Sequence, residues 1–324
     1  MNILSLRNAV LSLVILVLAG LAVPAQSVWT SQRLNAKGDL VAVYFTSSDK
    51  GWVAGDGGYL AQTTDGGRTW SQYPLATDED INEIYFRNDD NGYIVAGKKM
   101  FITRDAGKSW QEIRIYRTGE FGSATPEFLS IRFTDKKHGY IIGSVTKGDI
   151  VVDSLLMRSD DGGDTWRRVT LPVKTELFHL DFNGNSHGWI VGSKGVVLAT
   201  TDEGLTWDIQ RTGVSHALFN VDFRDDHDGY AVGGGGTIIR TEDGGRNWAK
   251  VDTAFPNTFL RVDFADDKNG WIVGYGGSIL RSGDRGRTWV QQDSGTRERL
   301  YGLFMDKKYG WAVGEKGLIL KYKK

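Results

Sequence analysis

The sequence contains no cysteine in its 324 residues. This absence excludes disulfides, thiolate catalysis, zinc sites with cysteine ligands and lipid attachment to an N-terminal cysteine. Proline is scarce, with 5 residues, and neither sign of charge predominates, because 39 Lys and Arg stand against 40 Asp and Glu. A net charge of −1 provides no basic footprint for nucleic acid and no polybasic membrane patch.

Glycine, by contrast, is abundant, and it recurs in one short motif that we call the Asp corner. Six segments carry it: 63–70 (TTDGGRTW), 103–110 (TRDAGKSW), 159–166 (SDDGGDTW), 200–207 (TTDEGLTW), 241–248 (TEDGGRNW) and 282–289 (SGDRGRTW). The Asp can accept hydrogen bonds from its own turn, the Gly two residues later allows a positive φ, and the Trp packs beside the turn. The motif therefore predicts a corner between two strands and requires no chemistry.

A second element, Gly-Trp or Gly-Tyr followed by apolar residues, occurs seven times. It begins at Gly51, Gly92, Gly139, Gly188, Gly229, Gly270 and Gly310. Trp29 lies 22 residues before Gly51, the same spacing that separates Trp70 from Gly92. The N-terminus therefore carries a final strand without its corner, and the C-terminus carries a unit without its final strand.

The two incomplete ends complement each other. A period of about 41 residues with four strand-like runs is typical of a propeller blade, and closing the ring with one strand from each end removes exposed edges. The sequence predicts an all-β, seven-bladed β-propeller of four-stranded antiparallel blades, with residues 26–324 as a single domain. An open solenoid is the alternative, and it would need no complementary ends.

The first 25 residues have the pattern of a signal peptide. Arg7 precedes an apolar run from Ala9 to Val23, and small residues near Ala25 suit signal peptidase. The run is shorter than the roughly 20 residues that span a bilayer, which favours cleavage over the alternative of an uncleaved anchor. We expect an exported protein that is periplasmic, secreted or thylakoid-lumenal.

Unit three departs from the period at two places. Trp110 to Gly139 spans 29 residues instead of 22, and Gly139 to Trp166 spans 27 where other units use 18 or 19. In a four-stranded blade both insertions emerge at the end opposite the Asp corners, and loops on a rigid scaffold often bind partners. This predicts a partner-binding patch that contains Tyr116, Arg117, Phe121, Lys147, Ile150 and Val152. The alternative is merely a longer hairpin.

The inner strands predict a second candidate site. Strand alternation places one polar set on the side away from the apolar residues, so that it faces the propeller axis. This set comprises Glu83, Arg132, His179, Asp181, Asn220, Asp222, Arg261 and Asp263. The alternative interpretation is a set of polar side chains around a water-filled channel.

The evidence for catalysis is weak. Glu83 with Asp181 or Asp222 could serve as the acid and base of a hydrolase, and the Asp corner resembles that of sialidases. The Arg-Ile-Pro signature of sialidases is absent, however, and the five histidines have no metal-ligand spacing. We therefore predict no catalytic residue, no metal and no cofactor, with a secreted sialidase-like glycoside hydrolase as the alternative.

The combined repeat, seen best in Val221–Trp248 and Val262–Trp289, resembles the photosystem II assembly and stability factor family of cyanobacteria and chloroplasts. The resemblance extends from Trp29 to Lys324. It implies a lumenal or periplasmic seven-bladed propeller without enzymatic activity that holds a newly made reaction-centre protein during assembly. We accordingly expect a monomer that binds a protein client, such as a membrane-protein assembly intermediate, and no nucleic acid.

Overall fold

A computed structural model of the chain describes residues 28–322, in which 28 β-strands form seven four-stranded antiparallel sheets. These sheets are the blades of a propeller, so the predicted fold class and the number of blades are confirmed. The predicted signal segment, residues 1–25, lies outside the described residues. Among residues 28–322, no helix is long and apolar enough to cross a lipid bilayer.

The first two strands of each blade are the most buried. The inner strands are β2 (Leu40–Phe45), β6 (Ile81–Phe86), β10 (Thr125–Phe133), β14 (Leu177–Asn183), β18 (Leu218–Phe223), β22 (Phe259–Phe264) and β26 (Leu300–Met305). The second strands are β3 (Gly51–Gly55), β7 (Gly92–Ala96), β11 (Gly139–Lys147), β15 (His187–Gly192), β19 (Gly229–Gly233), β23 (Gly270–Gly274) and β27 (Gly310–Gly314). Their apolar residues form the core between neighbouring blades.

The third and outer strands complete the blades. The third strands are β4 (Leu60–Thr63), β8 (Lys99–Thr103), β12 (Ile150–Ser159), β16 (Val197–Thr200), β20 (Ile238–Thr241), β24 (Ile279–Ser282) and β28 (Leu318–Tyr322). The outer strands are β5 (Ser71–Tyr73), β9 (Gln111–Ile113), β13 (Arg167–Arg168), β17 (Asp208–Gln210), β21 (Ala249–Lys250), β25 (Val290–Gln292) and, for blade seven, β1 (Trp29–Arg33).

The two ends of the described chain close the ring, as the sequence predicts. β1 pairs antiparallel with β28 from Trp29 opposite Tyr322 to Arg33 opposite Leu318. The inner strand β26 of blade seven also packs against β2 of blade one. The propeller is therefore a closed ring, and the solenoid alternative is wrong.

The Asp corners satisfy their own hydrogen bonds. In the first corner, Asp65 Oδ1 accepts the backbone N–H groups of Arg68 (3.0 Å) and Thr69 (2.9 Å). The Thr69 hydroxyl donates to Asp65 Oδ2 (2.6 Å), and the Gly67 N–H donates to the Thr63 hydroxyl (2.9 Å). The bond from the N–H four residues after the Asp recurs in the other five corners. The corner thus folds locally, and its carboxylate is fully engaged.

Each corner also joins its blade to the preceding one. Trp189, on the second strand of blade four, donates from Nε1 to the carbonyl of Gly244 in the corner of blade five (3.0 Å). Tyr140 of blade three similarly donates to the carbonyl of Glu203 in the corner of blade four (2.6 Å). The two repeated motifs are therefore the two halves of one joint between neighbouring blades.

Aromatic stacking completes this joint. Phe223, at the end of β18, stacks on Trp189 of the preceding blade with ring centroids 3.4 Å apart, and it meets the edge of its own corner Trp248 at 5.9 Å. The same stack crosses the ring closure, where Phe45 of blade one lies 3.4 Å from Trp311 of blade seven. Stacked aromatic pairs contribute about 0.5–1.5 kcal/mol beyond their buried area.

The corner glycine is needed because the aromatic ring lies so close. Gly245 has a φ of +89°, and a Cβ there would lie 3.2 Å from the indole nitrogens of Trp189 and Trp248. We expect Gly245→Ala to lower the free energy of unfolding by about 2 kcal/mol, through backbone strain and the displaced rings.

The matched control for this substitution is Gly213→Ala. Gly213 also has a positive φ, of +69°, but a Cβ there meets nothing within 4 Å. Only the backbone strain of about 1 kcal/mol applies at that position. Urea titration of both variants measures the difference, and equal losses would contradict the packing role of Gly245.

The turns of each blade lie on two opposite faces. The N–H of Gly66 in the first corner donates to the carbonyl of Asp49 in the turn between β2 and β3 (2.8 Å), which places both on one face, the corner face. On the other side, the N–H of Asp56 donates to the carbonyl of Asp39, just before β2 (3.1 Å). This second face, the connection face, holds the segments that enter the inner strands.

Candidate functional site

The predicted axial residues meet around one cavity. Its volume is about 220 Å³, and all eight of them line it: Glu83, Arg132, His179, Asp181, Asn220, Asp222, Arg261 and Asp263. They converge because the inner strands of the seven blades surround the axis and present the same side to it. What the cavity does chemically depends on which of these groups are already engaged.

Most of the axial polar groups bind the backbone of the next blade. Three carboxylates each accept an N–H from the following inner strand: Asp181 from Phe223 (2.8 Å), Asp222 from Phe264 (3.1 Å) and Asp263 from Met305 (2.6 Å). Asn220 accepts the N–H of Val262 in the same way (3.0 Å). These side chains connect blades that share no β-ladder within the described residues. The bonds favour the structural interpretation of the axial set.

Glu83, Arg132 and His179 form a second network across blades two, three and four. Arg132 donates from Nη1 to Glu83 Oε1 (2.7 Å), and its Nη2 lies 2.8 Å from His179 Nε2. Burial opposes the ionisation of Glu83, but Arg132 and His179 outweigh it and hold the Glu83 pKa well below its usual range. Burial lowers the pKa of His179 to about 4, so its imidazole is neutral at neutral pH.

The three axial aspartates resist ionisation together. Burial, with Asp181 nearby, raises the pKa of Asp263 to about 7. Burial and the neighbouring Asp263 raise the pKa of Asp222 well above its usual value, and burial also raises the pKa of Asp181 although Arg132 opposes it. The three carboxyls are therefore not all ionised at neutral pH.

Asp263 makes stability depend on pH. Its folded-state pKa of about 7 exceeds the ordinary value of 3.8, so the folded state keeps a proton that the unfolded chain loses. Stability should therefore fall as pH rises from about 4 to 7. Asp263→Asn removes this titration but retains an oxygen to accept the Met305 N–H. We expect the free energy of unfolding of the variant, relative to that of the wild type, to increase by about 2 kcal/mol between pH 4.5 and pH 8.

Thermal unfolding of both proteins across this range measures the effect. His179 acts in the opposite direction, because its lowered pKa removes stability as the pH falls below 6.5, but it is present in both proteins and cancels in the comparison. Identical pH profiles for the wild type and the variant would contradict the assignment of a proton to Asp263.

Sequence alternation missed a ring of residues at the mouth of the channel on the connection face. Every inner strand contains a bulge, and the bulged residue has no partner on the second strand. These residues are Val41, Asn82, Leu129, Phe178, Phe219, Leu260 and Tyr301, and they line a cavity of about 180 Å³ with Arg261. Strict alternation assigns them to the core side, whereas a bulge redirects the side chain. The only indication of this ring in the sequence is that the same position precedes the axial residue in all seven units.

The two insertions of blade three lie side by side, as predicted. The extended part of β10 pairs with the extended part of β11, from Thr125 opposite Thr146 to Phe128 opposite Gly143. Tyr116 and Phe121 pack edge to face, with centroids 5.2 Å apart, against the buried core of this blade. These two aromatic residues are only partly accessible, and they fix the first insertion to the blade.

The hairpin that joins β11 and β12 exposes apolar residues at its tip. Ile150 is 69% exposed and Val152 is 42% exposed, and Lys147 beside them is exposed as well. We call residues 147–152 the hairpin tip. An exposed aliphatic pair on a projecting hairpin is a feature that folding does not require.

A groove of about 680 Å³ lies beside the first insertion. It is formed by residues 114–120 and 164–168, and we call it the rim groove. Four arginines line it against two carboxylates: Arg114, Arg117, Arg167 and Arg168 against Glu120 and Asp164. Because residues 164–166 belong to the third Asp corner, this surface extends around the outer rim. Of the six residues predicted for the patch, Tyr116 and Arg117 line this groove.

The arginines of the rim groove differ in their partners. Arg168 pairs with Asp153 (2.8 Å) and lies over the ring of Phe121 (5.5 Å), which links the first insertion to the hairpin. Arg114 and Arg117 are exposed, and no carboxylate among the described residues forms an ion pair with either. A second cavity of about 370 Å³ continues from Arg114 and Tyr116 toward Lys98 and Lys99. Lys98 pairs with Glu79 (3.3 Å) and Lys99 pairs with Glu112 (3.4 Å), so the unpaired positive charge beside Tyr116 belongs to Arg114 and Arg117.

Comparisons with known proteins give a consistent result. The family model described as photosynthesis system II assembly factor YCF48 matches residues 21–119, 123–212, 159–254, 208–282 and 256–323. The photosystem II assembly lipoprotein Ycf48 of Synechococcus sp. (strain CC9902) is 32% identical over 77 residues, covering 22% of this chain and 20% of that protein. The chloroplastic stability/assembly factor HCF136 of Cyanidioschyzon merolae (strain NIES-3377 / 10D) is 34% identical over 84 residues, covering 25% and 16%.

Solved structures extend the similarity to nearly the whole chain. A structure of YCF48 bound to D1 peptide aligns with a TM-score of 0.75 at 22% identity and covers 93% of this chain and 98% of that one. Propellers of enzymes, a lyase and a xyloglucanase among them, share the fold at 14% identity or less. The alignments with the curated relatives span about a fifth or less of those proteins' lengths.

Proposed function

We propose that this chain, which belongs to the photosynthesis system II assembly factor YCF48 family, is an exported, non-catalytic propeller that binds a protein client through the rim groove and the hairpin tip. A relative of the same fold binds a D1 peptide. The client proposed here is accordingly a segment of a reaction-centre protein, held while a membrane complex is assembled.

The observation that carries this proposal is the combination of charge and apolar surface on blade three. Arg114 and Arg117, in the segment that connects β9 of blade two to β10 of blade three, lack ion-pair partners among the described residues. Ile150 and Val152 expose aliphatic surface on blade three itself. Such a surface suits a segment that carries both carboxylates and apolar side chains. In the axial channel, by comparison, most of the polar groups are engaged in bonds between blades.

The engagement of the axial carboxylates supports a non-catalytic role. A glycosidase needs one carboxyl to donate a proton and another to act as base or nucleophile. Glu83 is bound by Arg132 and by the N–H of Ile131 (2.7 Å), and Asp181 is bound by the N–H of Phe223. The six corner carboxylates are bound within their own turns.

The proposed location follows from the sequence alone. Residues 1–25 have the composition of a cleavable signal, which would deliver the propeller to the periplasm or the thylakoid lumen. We further propose that it acts there as a monomer. Signal-peptidase processing before Gln26, read by N-terminal sequencing of the exported protein, tests the cleavage.

A double charge reversal in the rim groove tests the binding site. We expect Arg114→Glu together with Arg117→Glu to weaken binding of a fluorescent D1-derived peptide by at least about tenfold, because two attractive contacts become repulsive. The loss should diminish at high salt, where surface charges are screened. Fluorescence anisotropy titrations measure both effects.

The matched control is the double variant Arg246→Glu with Arg287→Glu. Both arginines are exposed in the corners of blades five and six, so the net charge changes by the same amount far from the groove. Equal weakening by the two double variants would refute the rim groove as the site. Turnover in a panel of fluorogenic glycosides, abolished by Glu83→Gln, would refute the non-catalytic proposal itself.

A further inference from the structure

The mouth of the axial channel is apolar, unlike the channel below it. Leu129, Phe178, Phe219 and Leu260 occupy bulged positions around it, and each is partly exposed to the cavity of about 180 Å³. Phe178 and Phe219 lie against each other with ring centroids 5.1 Å apart. A cavity of about 150 Å³ with apolar walls is large enough to hold benzene. The mouth therefore has room for one ring-sized or branched aliphatic group.

A single cationic side chain lies between the mouth and the channel. Arg261 lines both cavities, and the only hydrogen bond found for it among the described residues runs from Nη1 to the carbonyl of Leu260 (3.2 Å). Arg132, on blade three, shows the contrast, because it forms an ion pair with Glu83 at 2.7 Å. Most of the donors of Arg261 are thus free toward the cavity, and its burial makes an anionic partner more favourable than it would be in water.

Glu83 attracts Arg261 electrostatically across the channel, but no carboxylate among the described residues forms an ion pair or a hydrogen bond with Arg261. Glu83 is bound by Arg132, and the rim residues Asp39 and Asp80 accept backbone N–H groups of Lys316 (3.0 Å) and Gly57 (2.7 Å). Asp39 and Asp80 directly precede the inner strands β2 and β6 at this end of the channel, and their repulsion of an approaching anion grows with its charge. The arrangement thus favours a ligand with one negative charge and an apolar body over phosphate or another multiply charged anion.

We infer that the channel mouth binds a small monocarboxylate, with its apolar body among Phe178, Phe219 and Leu260 and its carboxylate paired with Arg261. The site is separate from the rim groove, so this inference does not depend on the proposed client. The same chemistry occurs in a free organic acid and in the last residue of a polypeptide. The inferred ligand is the free acid, and the peptide is one arm of the test.

Isothermal titration calorimetry with 3-phenylpropionate tests the site. We expect binding that is at least about tenfold tighter than that of 3-phenylpropan-1-ol, which has the same body without the charge, and no binding of inorganic phosphate. Arg261→Met should weaken binding of the acid by at least about tenfold and leave binding of the alcohol unchanged. The affinity of Arg261→Lys for the acid should lie between those of the wild type and Arg261→Met. The control Arg297→Met removes an exposed arginine near the same face and should change nothing.

Each outcome decides the inference. The inference would be overturned if the wild type bound acid and alcohol equally, or if Arg261→Met bound the acid as well as the wild type does. It would also be overturned if the wild type did not bind the acid at concentrations up to about 10 mM. Should Arg261→Met fail to fold, Phe219→Ser, at a partly exposed position, provides the second variant and should weaken acid and alcohol alike. A tripeptide Ala-Ala-Phe with a free carboxyl terminus that binds more tightly than the phenylpropionate would overturn the assignment to a free acid, whereas weaker binding supports it.

Discussion

A protein that starts at Leu34 instead of Val28 is expected to unfold about 10 °C lower than the longer form, because it lacks the strand that closes the ring. The deletion removes β1, whose five residues pair with β28 from Trp29 opposite Tyr322 onward. It also removes the Trp29 side chain, which is 4% exposed and lies 5.3 Å from the Tyr322 ring.

The size of this effect follows from what is exposed. Loss of a buried tryptophan alone costs about 3–5 kcal/mol, and β28 becomes an unpaired edge in addition. For a domain of this size each kcal/mol lowers the unfolding midpoint by about 2 °C. The truncation also converts the Leu34 N–H, which donates to the carbonyl of Gly317, into a terminal ammonium group that can still donate to it.

Differential scanning calorimetry of the two proteins measures the shift. Addition of a synthetic peptide of residues 28–33 should restore part of the lost stability, because the vacated edge of β28 can accept the strand in trans. If the two proteins unfolded at the same temperature, closure of the ring would contribute little to stability. The same would follow if the peptide bound to the shorter protein without raising its unfolding temperature.

Phe223→Ala should lower the free energy of unfolding by about 3–5 kcal/mol, the range for a large aromatic residue removed from a core. Phe223 is 6% exposed and stacks 3.4 Å from Trp189 on one side, with Trp248 on the other. Its removal leaves a cavity inside the joint between blades four and five. Urea titration of the variant measures the loss.

Two further variants control this prediction. Val290→Ala truncates a side chain that is 67% exposed and should change stability by less than about 0.5 kcal/mol. Met305→Phe inserts the aromatic residue that blade seven alone lacks at this position, facing Trp271 of blade six, and should be tolerated within about 1.5 kcal/mol. A loss below about 1 kcal/mol for Phe223→Ala would contradict the role given to the aromatic joint.

The sequence was sufficient for the fold because the fold is periodic. The 22-residue spacing from Trp29 to Gly51 identified the displaced strand, and the pairing of Trp29 with Tyr322 confirms it. Within blade five, the run 218–223 forms the whole of β18, whereas the outer strand that follows Trp248 contains only Ala249–Lys250. Outer strands pair on one side only, so local residue preferences define their ends poorly.

The candidate sites were predictable only where they follow strand alternation or an insertion. The axial set was found because alternation holds for residues such as Glu83 and Asp263. Phe178 and Phe219 were missed because a bulge changes the side to which a residue points, and alternation cannot indicate a bulge. Arg168 was missed because it belongs to an ordinary outer strand and reaches the groove only through packing against the first insertion.

Site-specific photocrosslinking tests the central claim of client binding at blade three most directly. A p-benzoylphenylalanine replaces Val152 at the hairpin tip in one protein and the exposed Val290 of blade six in another, and each is irradiated with the client peptide. Client binding at blade three predicts a crosslinked product from position 152, competed by unlabelled peptide, and none above background from position 290. Equal crosslinking from both positions, or crosslinking from position 290 alone, would contradict it.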